Sequence, residues 1–249
     1  MVLRRVRILF CCGAMKLKDV MLALEARSSE PTRRILLKHG AREPFFGVNI
    51  ADMKLIAKRL KGDQALALEL YATGNGDAQY LAGMVADGAE MSRKELRSWA
   101  ASASWRMISS STVPWVASEH PDGWALALDW IDAKKEHVAI AGWATLGAWV
   151  TTHADADLDL KTIGALLNRV GKAIHGSPDR VRQQMNYFVI AVGTYVGPLA
   201  ARAIATARKV GKIEVDVGDT DCQIPDAESY IIKSRRGAPV APKRRTMRC

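Results

Sequence analysis

The sequence predicts an all-α protein, a curved solenoid of antiparallel helix pairs, and three observations carry that prediction. Helix start and stop signals recur along the whole chain, strand alternation is confined to one short stretch, and two helix-core segments repeat each other. The repeating segments are Ala141-Gly142-Trp143-Ala144-Thr145-Leu146-Gly147-Ala148-Trp149-Val150 and Phe188-Val189-Ile190-Ala191-Val192-Gly193-Thr194-Tyr195-Val196. Gly147 aligns with Gly193, Trp149 with Tyr195 and Val150 with Val196, an offset of 46 positions. A weaker echo, Val113-Pro114-Trp115-Val116, places another aromatic–Val pair 34 residues before Trp149.

Offsets of this size are those of stacked helical-pair repeats such as HEAT or armadillo units. Two buried helices that share small and aromatic residues by chance would produce the same echo, so the residues alone leave both readings open. An irregular helical bundle is the alternative architecture.

The elements follow in order. Helices are expected near 17–27 and 31–40, the second with Pro31 at its first position, where a missing N–H costs nothing. Residues 40–49 read as a loop containing Pro44-Phe45-Phe46-Gly47. Ile50, Met53, Ile56, Ala57 and Leu60 then mark a helix by their three-and-four spacing. Asp63 and Asp77 each precede Ala- and Leu-rich segments as candidate caps. Ser92-Arg93-Lys94-Glu95 has the form of a capping box, opening the helix that contains Leu96 and Trp99. Further helices fit 105–118, 121–132, 135–152 and 158–174. Ser177-Pro178-Asp179 combines a cap, a proline at the first position and an acid in the first turn. Pro198 opens another helix, to about Val210. Lys212-Ile213-Glu214-Val215-Asp216-Val217 alternates strictly and reads as a short strand or an extended segment. Gly218 to Pro225 is a polar loop, and Asp226 to Lys233 a last short helix.

A length of 249 residues and 49% hydrophobic content permit a large buried core. The longest apolar run, Val138 to Val150, is too short to cross a bilayer and suits a buried helix. Arg4, Arg5 and Arg7 followed by Ile8-Leu9-Phe10-Cys11-Cys12 imitate a secretory signal, but no small-x-small cleavage site follows. The simpler expectation is that translation begins at Met15, residues 1–14 being an extension. Cys11, Cys12, Cys222 and Cys249 lack paired spacing, and His39, His120, His137, His153 and His175 are scattered. No metal, cofactor or disulfide framework is expected, and a reducing cytoplasm fits.

The net charge of +10 is concentrated at the ends. Residues 1–18 carry five basic and no acidic side chains, and residues 233–249 carry seven basic and no acidic ones, which leaves −2 for residues 19–232. The end from 234 to 249, with Lys243, Arg244 and Arg245 at its centre, is too poor in apolar residues to pack and is expected to be a flexible basic tail. Such a tail supplies phosphate affinity without sequence preference, or simply solubility.

Two segments of the body are candidate contacts to nucleic acid. In Trp105-Arg106-Met107-Ile108-Ser109-Ser110, Arg106 and Ser110 share one helix face and Trp105 and Ser109 the adjacent one. An exposed Arg–Ser face holds a phosphate and a neighbouring Trp stacks on a sugar or base; the competing reading is a core Trp beside a solvated Arg. The start of the 177–187 helix offers free N–H groups with Arg180, Arg182, Gln183, Asn186 and Tyr187 beside them. Asp179 opposes an anion there. Trp99, Trp115, Trp124, Trp130, Trp143 and Trp149 sit among Ala, Val and Leu and read as core.

Several segments resemble AlkD-like DNA alkylation repair proteins. Gly47-Val48-Asn49-Ile50-Ala51-Asp52-Met53-Lys54-Leu55-Ile56-Ala57 is similar to the entry segment of that family, Gly-Val-x-x-x-Asp-hydrophobic-Lys. Ala141 to Leu146, Arg182 to Val196, and Gly211 to Asp216 running on through Cys222 and Pro225 to Tyr230 resemble later helices of one branch. The similarity spans about residues 15–233. It implies a curved solenoid of antiparallel HEAT-like helical repeats whose concave face cradles duplex DNA, alkylated DNA included. It also implies, in active members, a glycosylase that removes cationic alkylated purines. Their chemistry rests on a carboxylate near the deoxyribose that stabilises oxocarbenium-like charge.

At the corresponding positions this chain has Ser110 for the catalytic Asp, Arg106 for one framing Trp, Gly142 at or near the site Arg, and Tyr187 near the second Trp. A hydroxyl supplies no negative charge. Losing one placed electrostatic group costs on the order of a hundredfold in rate, which argues against glycosylase action by the usual route. The expected function is DNA binding of the alkylation repair type, with a divergent glycosylase within its range. The alternative is a non-catalytic HEAT-repeat scaffold for protein partners.

Overall fold

The computed structural model describes residues 15–60 and 62–248, so residues 1–14, and Cys11, Cys12 and Cys249, lie outside the described residues. Among the described residues there are thirteen α-helices and no strand. The first five are α1 (Leu17–Glu25), α2 (Glu30–Lys38), α3 (Ile50–Ala57), α4 (Gln64–Ala72) and α5 (Gly76–Val85). They are followed by α6 (Arg93–Ser102), α7 (Val113–Ala117), α8 (Gly123–Trp130) and α9 (Glu136–Thr152). The last four are α10 (Leu160–Ala173), α11 (Asp179–Tyr195), α12 (Ala200–Val210) and α13 (Ala227–Arg235).

Helix starts are set by side-chain caps. Ser29, Asn49, Asp63, Asp159 and Asp226 each accept a backbone N–H three residues on, and Ser92 with Glu95 completes the expected capping box. Two expected caps are corrected. Asn75, not Asp77, caps α5. Asp77, only 3% exposed, instead accepts the N–H groups of Phe46, Gly47 and Val48 at 2.5–3.2 Å. Burial pushes its carboxyl above the ordinary range, against the pull of those three donors. At the start of α11, Ser177 caps nothing; its Oγ donates to the Ala173 carbonyl.

The helix expected over 105–118 is interrupted. Residues Ile108–Thr112 form a π-turn immediately before α7. Pro114 lacks an N–H and its ring crowds the carbonyl of Ser110 four residues back, so the ladder widens there.

The packing order explains the repeated sequence segments. α7, α9 and α11, which carry the three echoes, stand side by side with α13 beyond them, while α6, α8, α10 and α12 pack behind. Trp143 of α9 meets Phe188 of α11 edge-on at 5.5 Å between centroids. Gly142 lets α9 approach α8: a Cβ there would lie 2.7 Å from the Ile131 nitrogen. Trp99, Trp115, Trp130 and Trp143 are buried as expected, whereas Trp124 and Trp149 are half-buried.

Residues 212–217 are extended but pair with no strand. Arg182 donates to the Glu214 carbonyl and Asp179 accepts the Asp216 N–H, which fixes the segment by side chains. The expectation of a flexible basic tail is corrected. The Ala241 N–H donates to the Thr194 carbonyl and the Arg244 N–H to that of Thr151. Lys243 pairs with Asp155 at 2.8 Å and donates to the Val150 carbonyl; Arg248 pairs with Glu119. Helix C-termini leave carbonyls without partners, and the arm uses them in place of the apolar residues it lacks. No single helix among the described residues is long and apolar enough to cross a membrane.

The two aligned glycines are not equivalent. A Cβ on Gly147 would meet only the Phe188 Cα at 4.0 Å, whereas on Gly193 it would lie 2.4 Å from Ile231 Cδ1. Gly147→Ala is therefore expected to stabilise by about 0.5–1 kcal/mol through chain entropy. Gly193→Ala is expected to destabilise by about 1–3 kcal/mol through overpacking. Urea unfolding of the two variants checks the opposite signs.

Candidate nucleic-acid interface

One groove runs along the parallel pair α9 and α11. Its first part is a cleft of about 480 Å³ at their N-terminal ends, lined by Glu136, His137, Asp179 and Arg180. The end of α2 and the loop after it add Lys38, His39 and Arg42, and Trp105 and Arg106 complete the wall. Its second part is a cavity of about 370 Å³ along their C-terminal halves, lined by Ser110, Gly147, Gln184, Tyr187 and Tyr195, with Tyr230 of α13 and Arg244 of the arm. The expected split of the 105–110 segment is present: Trp105 and Ser109 are 7% and 0% exposed, while Arg106 and Ser110 border the groove.

Arg106 is half-buried. Its Nε donates to the His39 carbonyl at 2.8 Å and a terminal nitrogen lies 3.2 Å from His39 Nδ1. Burial lowers its pKa first and the positive charge of Arg180 lowers it further. Arg180 donates to Gln183 Oε1, and neither guanidinium is in an ion pair among the described residues. Three carboxylates line the cleft: Asp179 accepts the Asp216 N–H and lies 3.5 Å from Arg182, Asp216 accepts the Gly218 N–H, and Glu136 forms no ion pair among the described residues. Lys38 pairs with Asp219 at 2.9 Å. The site thus presents two adjacent guanidiniums, positive by default, in a partly dehydrated cleft. An anion between them relieves their repulsion.

Other expected contacts are corrected. Asn186 is buried and donates to the Pro225 carbonyl, and Arg182 donates to the Ser177 and Glu214 carbonyls. Both hold the 212–225 segment in place. Trp105 is walled in, its Nε1 3.3 Å from where a Gly76 Cβ would stand, so it offers no ring to stack. Lys243 is tied to Asp155. Gln183 serves Arg180, whereas Tyr187, Arg244 and Arg245 are exposed. Lys38, His39, Arg42 and His137 were not legible as site residues. His39 reaches Arg106 across 67 positions, a distance no local pattern reports. Among the described residues no cluster of His, Cys, Asp and Glu could hold a metal ion.

These features define a helical-repeat protein with a guanidinium-lined groove. The chain belongs to the family described as DNA alkylation repair enzyme, whose profile matches residues 20–208. Uncharacterised proteins of Listeria innocua and Listeria monocytogenes are 29% and 28% identical over 218 residues, covering 85% of this chain and 94% of each relative. A solved structure matches with a TM-score of 0.86 at 36% identity, over 94% of this chain and all of its own. That structure is described as a new family of proteins related to the HEAT-like repeat DNA glycosylases with affinity for branched DNA structures. The fold is accordingly an all-α solenoid of HEAT-like repeats.

His39 reports on the guanidinium pair. Burial, then Arg106, then Arg180 hold its pKa below the ordinary histidine value. A base with a depressed folded pKa loses stability as pH falls through its unfolded value. An NMR titration of the His39 ring should give a midpoint below the ordinary value. It should rise in Arg106→Ala and rise less in Arg180→Ala.

Proposed function

We propose that this protein binds DNA through the groove, recognising branched structures, and that it does not excise alkylated bases by the family's usual carboxylate route. The observation that carries the reading is the unpaired couple Arg106 and Arg180, half-buried and mutually repelling at the N-terminal ends of α9 and α11. A bridging phosphate is the ligand such a couple lacks, and Arg42 extends the positive border. The branched-DNA affinity described for the similar structure supports the choice of substrate. Ser110 supports the absence of base excision, because its hydroxyl borders the groove where the family resemblance places a carboxylate.

Binding is tested with a labelled three-way junction and a duplex of equal length, titrated across salt concentrations. Affinity is expected to fall with salt by about 0.9 logarithmic units per phosphate contact. Arg106→Ala/Arg180→Ala should lower the slope by roughly 2. A parallel incubation with methylated duplex should release no purine above the uncatalysed background. A slope unchanged by the double substitution would remove the groove as the interface, and purine release would restore the glycosylase reading. DNA binding lost entirely on deletion of residues 233–249, from a domain that stays folded, would favour a scaffold for protein partners.

A further inference from the structure

The second part of the groove has a different chemistry from the first. Its lining includes no carboxylate, and its polar groups are hydroxyls, one amide and Arg244. Tyr187 and Tyr230, 38% and 48% exposed, are the aromatic rings most open to solvent among the described residues, and both face this cavity. Gln184 lines the same cavity and is only 9% exposed. Its side-chain amide makes no hydrogen bond among the described residues. The amide is thus open to the cavity, with its donor and acceptor available to a ligand there.

The arm closes the cavity from above. Lys243 and Arg248 anchor it at either side, to Asp155 and Glu119. Between those anchors Arg244 and Met247 reach the cavity wall, and Arg244 forms no ion pair among the described residues. Open rings, an available amide and a free guanidinium at the end of the proposed phosphate-binding groove match one ligand class. A nucleobase has faces that stack on rings of either kind, edges that bond to an amide, and a phosphate attached.

We propose that this cavity receives an unpaired nucleobase of branched DNA. Tyr187 and Tyr230 supply ring faces, Gln184 bonds to the base edge, and Arg244 contacts the adjoining phosphate. The inference rests on DNA binding by the groove and adds to it what a branch offers and a paired duplex does not. It also assigns the arm a role in shaping the site.

The test compares the full chain on two DNAs at one salt concentration, a three-way junction with two unpaired bases at the branch and a fully paired duplex. The junction carries 2-aminopurine at one unpaired position. Wild-type protein is expected to bind the junction about tenfold tighter, in line with one stacked base, with a change in 2-aminopurine fluorescence on binding. Tyr230→Ala should abolish both the preference and the change, and Tyr230→Phe should restore them. Gly147→Leu, which fills the cavity from the open side of α9, should act like Tyr230→Ala, with thermal melting confirming a folded chain. Preference that survives Tyr230→Ala and Gly147→Leu overturns the proposal and leaves the groove reading standing, whereas duplex binding without junction preference in the wild type overturns the proposal and the choice of branched DNA, leaving DNA binding by the groove. Binding to neither DNA overturns both.

Discussion

The structure depends on the parallel seating of α9 against α11. That contact includes one edge-on aromatic pair, Trp143 on Phe188, while Gly142 lets α9 approach α8 and Gly193 lets α11 approach α13. Truncating an aromatic of this kind in a core costs about 3–5 kcal/mol, so the register of the two helices is strongly held. The groove residues on α9 and α11 inherit their places from that register. The first turns of both helices border the cleft with Arg106, and their later turns border the cavity with Tyr187. The two buried clusters of the core meet along α8 and the start of α9, which makes α9 a link between the halves of the solenoid as well.

The electrostatic character of the groove comes from where carboxylates are used. Most ion pairs lie on exposed surfaces, where each contributes little. Inside, Asp77 serves three backbone N–H groups of the 46–48 loop rather than a cation. Gly47 belongs to the same device, since its positive φ and contact with the Arg33 backbone exclude a side chain. Asp179 likewise serves the 212–217 segment. Arg106 and Arg180 are left without an ion pair among the described residues, which is the basis of the proposed phosphate site.

The basic C-terminus shows how a sequence without apolar residues still finds a place on a protein. Its contacts go to carbonyls of Val150, Thr151 and Thr194 at helix ends, and to Asp155 and Glu119. Met247 is its apolar anchor, set against the core of the first half. The chain thereby returns from the last helix to the region of α5 and α7, where Arg248 also donates to the Met84 carbonyl. The arm thus ties the two halves of the solenoid together.

What the sequence determined by itself is the helical class, most helix boundaries and the repeat. Those signals are local: capping side chains such as Ser92 and Asp226, prolines at helix starts, and apolar spacing. The offset between the two segments did report neighbouring inner helices, α9 and α11, although the aligned Gly147 and Gly193 meet different surroundings. The tertiary structure decided which polar residues are free. Arg182, Asn186 and Arg180 share one helix start, yet the first two brace the 212–225 segment and only Arg180 faces the cleft. His39 and Arg106 meet, Asp77 leaves its helix cap for a distant loop, and the arm lies down on helix ends. Each of these is a long-range pairing of hydrogen-bonding groups, set by which partner is left unsatisfied when the helices pack, and no local pattern encodes that.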